Sequence, residues 1–159
     1  MVTTNNRKRK KIKIPFMDSE SRIPFVEFFV NGIGYIGLLD TGSESTLFDK
    51  SLKGRDGMSC DGTDYNMSLV GLGGETENRR VYNMDTNVSV IDTGKSVHNG
   101  IHVTGIVSDL SILSSTLKER YGKDFPVSVV FGGDFLKAYH ARIDYRKKIL
   151  RLTYDISCK

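Results

Sequence analysis

A chain of 159 residues, 38% hydrophobic and 26% charged, suits one compact domain with its own core. That composition, with only three prolines and no repeat or long low-complexity tract, excludes a disordered, fibrous or solenoid chain. The formal net charge of +4 sits almost wholly at the start, so it says little about the partners of the rest, which is slightly acidic.

In chain order, Arg7, Lys8, Arg9, Lys10, Lys11 and Lys13 come first, with no acid among them. Residues 1–20 read as a basic, flexible leader plus a first strand, and residues 21–159 as the folded domain. Such a leader can meet nucleic acid or an anionic surface, but a solvated terminus is the expectation. Ile23 to Val30 and Gly34 to Leu39 are apolar strand segments joined by Asn31-Gly32, a strong hairpin signal. Lys50 to Asp64 is polar and contains glycines, which predicts a surface loop. Tyr65 to Leu72 and Arg80 to Ile91 alternate in period two around Gly71, Gly73 and Gly74, which predicts a long hairpin with a glycine tip. Ser96 to Val107 alternates again. Leu110, Leu113 and Leu117 recur at helical spacing over Asp109 to Tyr121, and Gly122 is placed to cap that helix. Val127 to Phe131 is a wholly apolar strand, Asp134 to Tyr139 a short helix, and Ala141 to Tyr145 with Ile149 to Thr153 a closing hairpin. The fold class is therefore mostly β, a closed barrel or sandwich with one or two short helices.

No apolar run is long enough to cross a membrane, and the basic start lacks the apolar stretch of a signal peptide. A cytoplasmic protein with no membrane partner is expected. Cys60 and Cys158 then stay as thiols, and neither has metal-ligand or redox spacing.

The chemistry is carried by Gly37-Leu38-Leu39-Asp40-Thr41-Gly42-Ser43. An acid at the end of an apolar strand, followed by a hydroxyl residue and glycine, is a loop able to hold a carboxylate. The apolar residues should draw Asp40 inward, where a carboxylate must be hydrogen-bonded or shared. Gly42 permits a tight turn whose amides point back at it, and the Ser43 hydroxyl is expected to donate to it. Far downstream, Val130-Phe131-Gly132-Gly133-Asp134-Phe135-Leu136 sets an apolar pair, glycines and an acid before the short helix.

Together these segments resemble the retropepsin-like (retroviral-type) aspartic peptidases. The first is similar to their Asp-Thr-Gly-Ser/Ala loop. The second is similar to the segment they place beneath it, through Val130, Phe131, Gly132, Gly133 and Asp134. Between them, Val70, Gly71, Leu72, Gly73 and Gly74 stand where the family carries its substrate-binding flap. The resemblance implies a single-lobe acid-protease barrel, active as a two-fold homodimer, with Asp40 of each copy catalytic and Thr41, Gly42 and Ser43 supporting the loop. It implies hydrolysis of an extended polypeptide by a water activated between two carboxylates that share a proton. Neither a metal nor another cofactor is called for. Glu44, and the long stretch between Asp40 and Gly132, depart from the compact retroviral pattern and affect the cleft more than the catalytic pair. By resemblance, the terminal strands Ile12–Phe16 and Ile149–Thr153 are the candidates for the dimer contact, which the sequence leaves open. The alternative is a catalytically silent dimer of the same fold that grips a peptide or protein.

Three patterns are decoys. Asp92-Thr93-Gly94 repeats the triplet, but Ser89 breaks the apolar run before it and Lys95 follows, which predicts a hairpin turn. Gly32-Ile33-Gly34-Tyr35-Ile36-Gly37 matches a dinucleotide pattern but leads into a strand and not a helix. His98 and His102 would lie about 13 Å apart on a strand rising ~3.3 Å per residue, too far to share an ion. Nucleic acid is not expected as a partner beyond the leader Arg7–Lys13.

Overall fold

The computed structural model describes residues 8–17, 23–70, 76–122, 124 and 126–156, with side chains left aside at 62–81. Ten strands and two α-helices fall among them: β1 Lys8–Pro15, β2 Phe25–Val30, β3 Ile33–Leu39, β4 Leu47–Asp49, β5 Ser59–Val70, β6 Thr76–Ile91, β7 Val97–Ser108, α1 Ser111–Tyr121, β8 Val127–Phe131, α2 Gly133–Ala138, β9 Arg142–Asp144 and β10 Ile149–Ile156.

Six strands close a barrel in the order β2-β3-β8-β4-β7-β6, and β6 returns to β2 through Phe29 and Ser89. The fold is mostly β, as expected. The hairpin β2–β3 turns at Asn31 (φ 51°) and Gly32 (φ 80°), the left-handed pair that Asn-Gly supplies at little cost. Strand β8 is apolar throughout because both faces are covered: Val129 and Phe131 join the main core, while Val130 packs with Leu110 and Leu117 around α1. Helix α1 ends at Gly122 (φ 72°), whose amide bonds to the Lys118 carbonyl. Beside the barrel, β1, β10 and β9 form a second sheet in that order.

Two expectations are corrected. Much of the basic leader is sheet: Lys8–Pro15 pairs in full with β10, and Ile12 and Ile14 are buried in the main core. The alternation Lys11-Ile12-Lys13-Ile14 is a strand's, with lysines facing out, and burying those isoleucines outweighs the tendency of a charged segment to stay in solvent. Nor is Lys50 to Asp64 all surface loop. Lys50–Leu52 is a 3-10 turn whose Leu52 is buried, and β5 already begins at Ser59, which puts Cys60, a free thiol, against the core. Cys158 lies outside the described residues. No helix among the described residues is long and apolar enough to cross a membrane.

Candidate active site

Asp40 stands where β3 leaves the barrel. Parallel pairing of β3 with β8 sets Leu39 beside Phe131, so the carboxyl ends of two sequence-distant strands lie together. The Asp40 amide donates to the Phe131 carbonyl at 3.0 Å. Beyond it the chain turns sharply: Ser43 N–H reaches the Asp40 carbonyl at 3.3 Å, and Gly42 N–H donates to Asp40 Oδ1 at 2.9 Å.

The segment after β8 holds this loop from below. Gly133 N–H donates to the Ser43 carbonyl at 2.6 Å, and Asp134 N–H to the Glu44 carbonyl at 3.0 Å. Glycine is required at 132, because a Cβ there would lie 2.4 Å from the Ser45 carbonyl oxygen. Thr46, fully buried, ties both segments together. Its amide donates to Asp134 Oδ2 at 3.1 Å, its hydroxyl donates to Asp134 Oδ1 at 2.7 Å, and that hydroxyl accepts from Gly132 N–H at 3.1 Å. The buried hydroxyl thus satisfies its donor and one acceptor site at once. Asp134 Oδ1 also accepts from the Phe135 amide at 2.7 Å, at the start of α2.

Aromatic packing stiffens the floor. The Phe131 ring sits against Gly37, where a Cβ would come within 2.2 Å of it. It meets Phe28 edge-on at 5.6 Å and Phe135 at 4.7 Å, and Phe135 continues to Tyr139 at 4.8 Å. Each such pair contributes about 0.5–1.5 kcal/mol beyond its buried area.

The carboxylate on this platform is exposed, not drawn inward. Leu39 is the last residue turned into the core, and Asp40 lies past the end of the ladder. Its Oδ1 is held by Gly42, and Oδ2 takes no hydrogen bond among the described residues. Thr41 is exposed beside it and lines a shallow hollow of about 400 Å³ with Gly133, Leu136, Lys137, His140 and Ala141. The Ser43 hydroxyl does not reach Asp40 as expected: it donates to the Ser45 carbonyl at 2.7 Å, so Ser43 braces the loop's own backbone.

Of the remaining residues singled out in the sequence, Val130 is buried behind the loop. Val70 ends β5 opposite Thr76. Gly71, Leu72, Gly73 and Gly74 lie outside the described residues. The second triplet is the hairpin turn between β6 and β7, with Asp92 bound to Gly94, Ser96 and His98. His98 and His102 take different acids, Asp92 and Asp85. Thr46 was missed by the sequence reading. The only signal for it is a small hydroxyl residue opening an apolar strand, which many strands share.

No protein-family model matches the sequence, and no curated protein does. Among solved structures, the chain is similar to the crystal structure of a retropepsin-like aspartic protease from Rickettsia conorii, with 16% identity, a TM-score of 0.46 and 97% of each chain covered. It is also similar to the retroviral protease-like domain of Ddi1 from Leishmania major, with 16% identity and a TM-score of 0.45 over 83% of this chain and 92% of that one.

Proposed function

We propose that this chain is one half of an aspartic endopeptidase, completed by a second copy that brings its own Asp40. The observation that carries the reading is the Asp40 carboxylate itself. It is exposed at the rim of the barrel, has one oxygen held by the Gly42 amide and the other free, and rests on a backbone clamp of glycines and on buried Thr46 bonded to Asp134. A structural turn needs no such foundation.

Peptide hydrolysis of this kind needs a base for water and an acid for the scissile carbonyl. Asp92 cannot serve as the second group, because both of its oxygens are engaged in its own hairpin. A two-fold axis beside the Asp40 loops supplies the second carboxylate by repeating the first. At close range the two share one proton. The ionised carboxylate takes a proton from water as the water attacks the carbonyl carbon, and the protonated one hydrogen-bonds the carbonyl oxygen as charge develops there. Gly42 N–H keeps each Oδ1 oriented and leaves Oδ2 to face the water. Thr41, exposed next to Asp40, is placed to meet the opposite loop. The hairpin β5–β6 is the proposed flap over an extended polypeptide substrate.

The test is cleavage of an unbiased peptide library from acidic to neutral pH by wild type, Asp40→Asn and Asp92→Asn. Turnover by wild type and Asp92→Asn, but not by Asp40→Asn, supports the reading. A demonstrably dimeric protein that cleaves nothing in the library is instead a peptide-binding module, and activity surviving Asp40→Asn refutes the assignment of Asp40.

A further inference from the structure

Basic residues far apart in sequence are collected on one face by the sheet β1-β10-β9. Its inner face buries Ile12, Ile14, Leu150 and Leu152. Alternation therefore turns Lys11, Lys13 and Arg151 outward, and register sets Lys13 opposite Arg151 and Arg151 opposite Arg142. A groove of about 500 Å³ runs along this face, lined by Arg9, Lys11, Lys13, His140, Arg142 and Arg151 with Ile12 and Thr153. No carboxylate lines it.

These charges are poorly compensated. Like charges directly opposite in a ladder destabilise it, and here three stand in one row. Arg9 approaches Asp155 at 3.8 Å, but both are exposed and such a pair contributes little. Asp144, at the end of β9, accepts from the Lys147 amide and meets Arg151 only through space. Lys11, Lys13 and Arg142 form no ion pair among the described residues. Arg151 Nε is buried without a hydrogen-bond acceptor. An anionic ligand in the groove would relieve the repulsion along this row.

We propose that this groove binds the phosphodiester backbone of a nucleic acid strand. Cations two residues apart on one strand are ~6.6 Å apart, and those on neighbouring strands ~4.8 Å. That repeat suits a chain of phosphates better than a single anion. Cations dominate the lining and no Phe, Tyr or Trp joins them to stack on bases, so contact is with the backbone and independent of sequence. A lipid surface is a poorer fit, since none of the exposed large apolar side chains lines the groove to enter a bilayer. This binding is independent of Asp40 and of peptidase activity.

The test is fluorescence anisotropy of a labelled oligothymidine titrated with the full chain at several salt concentrations. Four neutralised phosphates predict a slope of log affinity against log salt of about −3, at ~0.7 per contact. Lys11→Gln/Lys13→Gln should reduce that slope by about 1.4, and Arg142→Gln by about 0.7. The control Lys53→Gln/Lys118→Gln, equal in charge but away from the groove, should bind as wild type. Arg142 separates the assembled face from the leader alone, because it lies on another strand. The proposal fails if the oligonucleotide does not bind, if Arg142→Gln or the double lysine variant binds as wild type, or if the control weakens binding equally. Binding to phosphatidylserine vesicles but not to the oligonucleotide would make the face a membrane surface and would also overturn it.

Discussion

Asp40-Thr41-Gly42 and Asp92-Thr93-Gly94 spell the same tripeptide and make the same local turn. In each, the glycine amide donates to the aspartate Oδ1 at 2.9 Å. What surrounds the turns separates them. Asp92 Oδ1 also accepts from Ser96 N–H at 2.9 Å, its Oδ2 lies 2.7 Å from His98 Nε2, and Thr93 N–H docks on the Lys13 carbonyl. Its carboxylate is consumed in closing a hairpin, and the backbone of the same turn braces β1. Asp40 spends one oxygen on its turn, and a remote segment holds the loop in place of the carboxylate. A triplet thus specifies a turn, while its neighbours decide whether the acid is left for chemistry.

The largest expected effect tests that contrast directly. Asp40→Asn should lower kcat/KM by about 10²–10⁴-fold or more, the range for losing a positioned acid or base, whereas Asp92→Asn should stay near wild type in the same peptide assay. Next comes the foundation. Gly132→Ala forces a Cβ to 2.4 Å from the Ser45 carbonyl oxygen, while the Cβ of Gly94→Ala meets Asp92 Oδ1 at an ordinary 3.4 Å. Denaturant titration should show a cost of about 1–3 kcal/mol for the first and within about 0.5 kcal/mol for the second.

Thr46→Val keeps the shape but leaves the Gly132 amide without its acceptor and removes the hydroxyl that donates to Asp134 Oδ1. A loss of about 1–3 kcal/mol is expected, with activity falling as the Asp40 loop loosens. Loss of stability with unchanged kcat would mean that the clamp does not position the carboxylate.

The His98 contact, ahead of the Ser96 and Gly94 amides, holds the Asp92 carboxyl below its ordinary value of 3.8. A depressed carboxyl stabilises the fold above its unfolded value and loses that contribution as pH falls through the folded one. The difference in Tm between wild type and Asp92→Asn should accordingly shrink as pH falls below about 4. A difference that grows with acidification would contradict the sign. Smallest of all, Ser43→Ala removes a hydroxyl bonded to Ser45 and not to Asp40. It should cost about 0.5–1.5 kcal/mol and leave the pH profile of cleavage in place. A shifted profile would put Ser43 in contact with the carboxylate during turnover.

Several elements were legible because their causes lie within a few residues. Asn31-Gly32 makes its hairpin turn by taking left-handed backbone, the leucine spacing of α1 ends at a capping glycine, and the apolar run of β8 is a buried strand. The turn at Asp92 belongs with them. Other features were not legible. A first strand was expected, but lysines hid its start at Lys8, since its isoleucines have a core to enter only when β10 lies alongside. Polar composition likewise hid Leu52, which is buried although its neighbours are exposed.

By itself, then, the sequence determined the turns, the barrel strands other than β4 and the residue types of the Asp40 loop, because backbone preference and side-chain period act over short distances. Tertiary structure decided which groups meet. Thr46 and Asp134 are 88 positions apart, and Lys13 and Arg142 are still more distant, so no local rule relates them. Pairing of β8 with both β3 and β4 brings the first pair under Asp40, and the register of β1, β10 and β9 sets the second on one face. Hydrogen bonds and charge act only over a few ångströms in space, and that proximity arises only when the chain closes on itself.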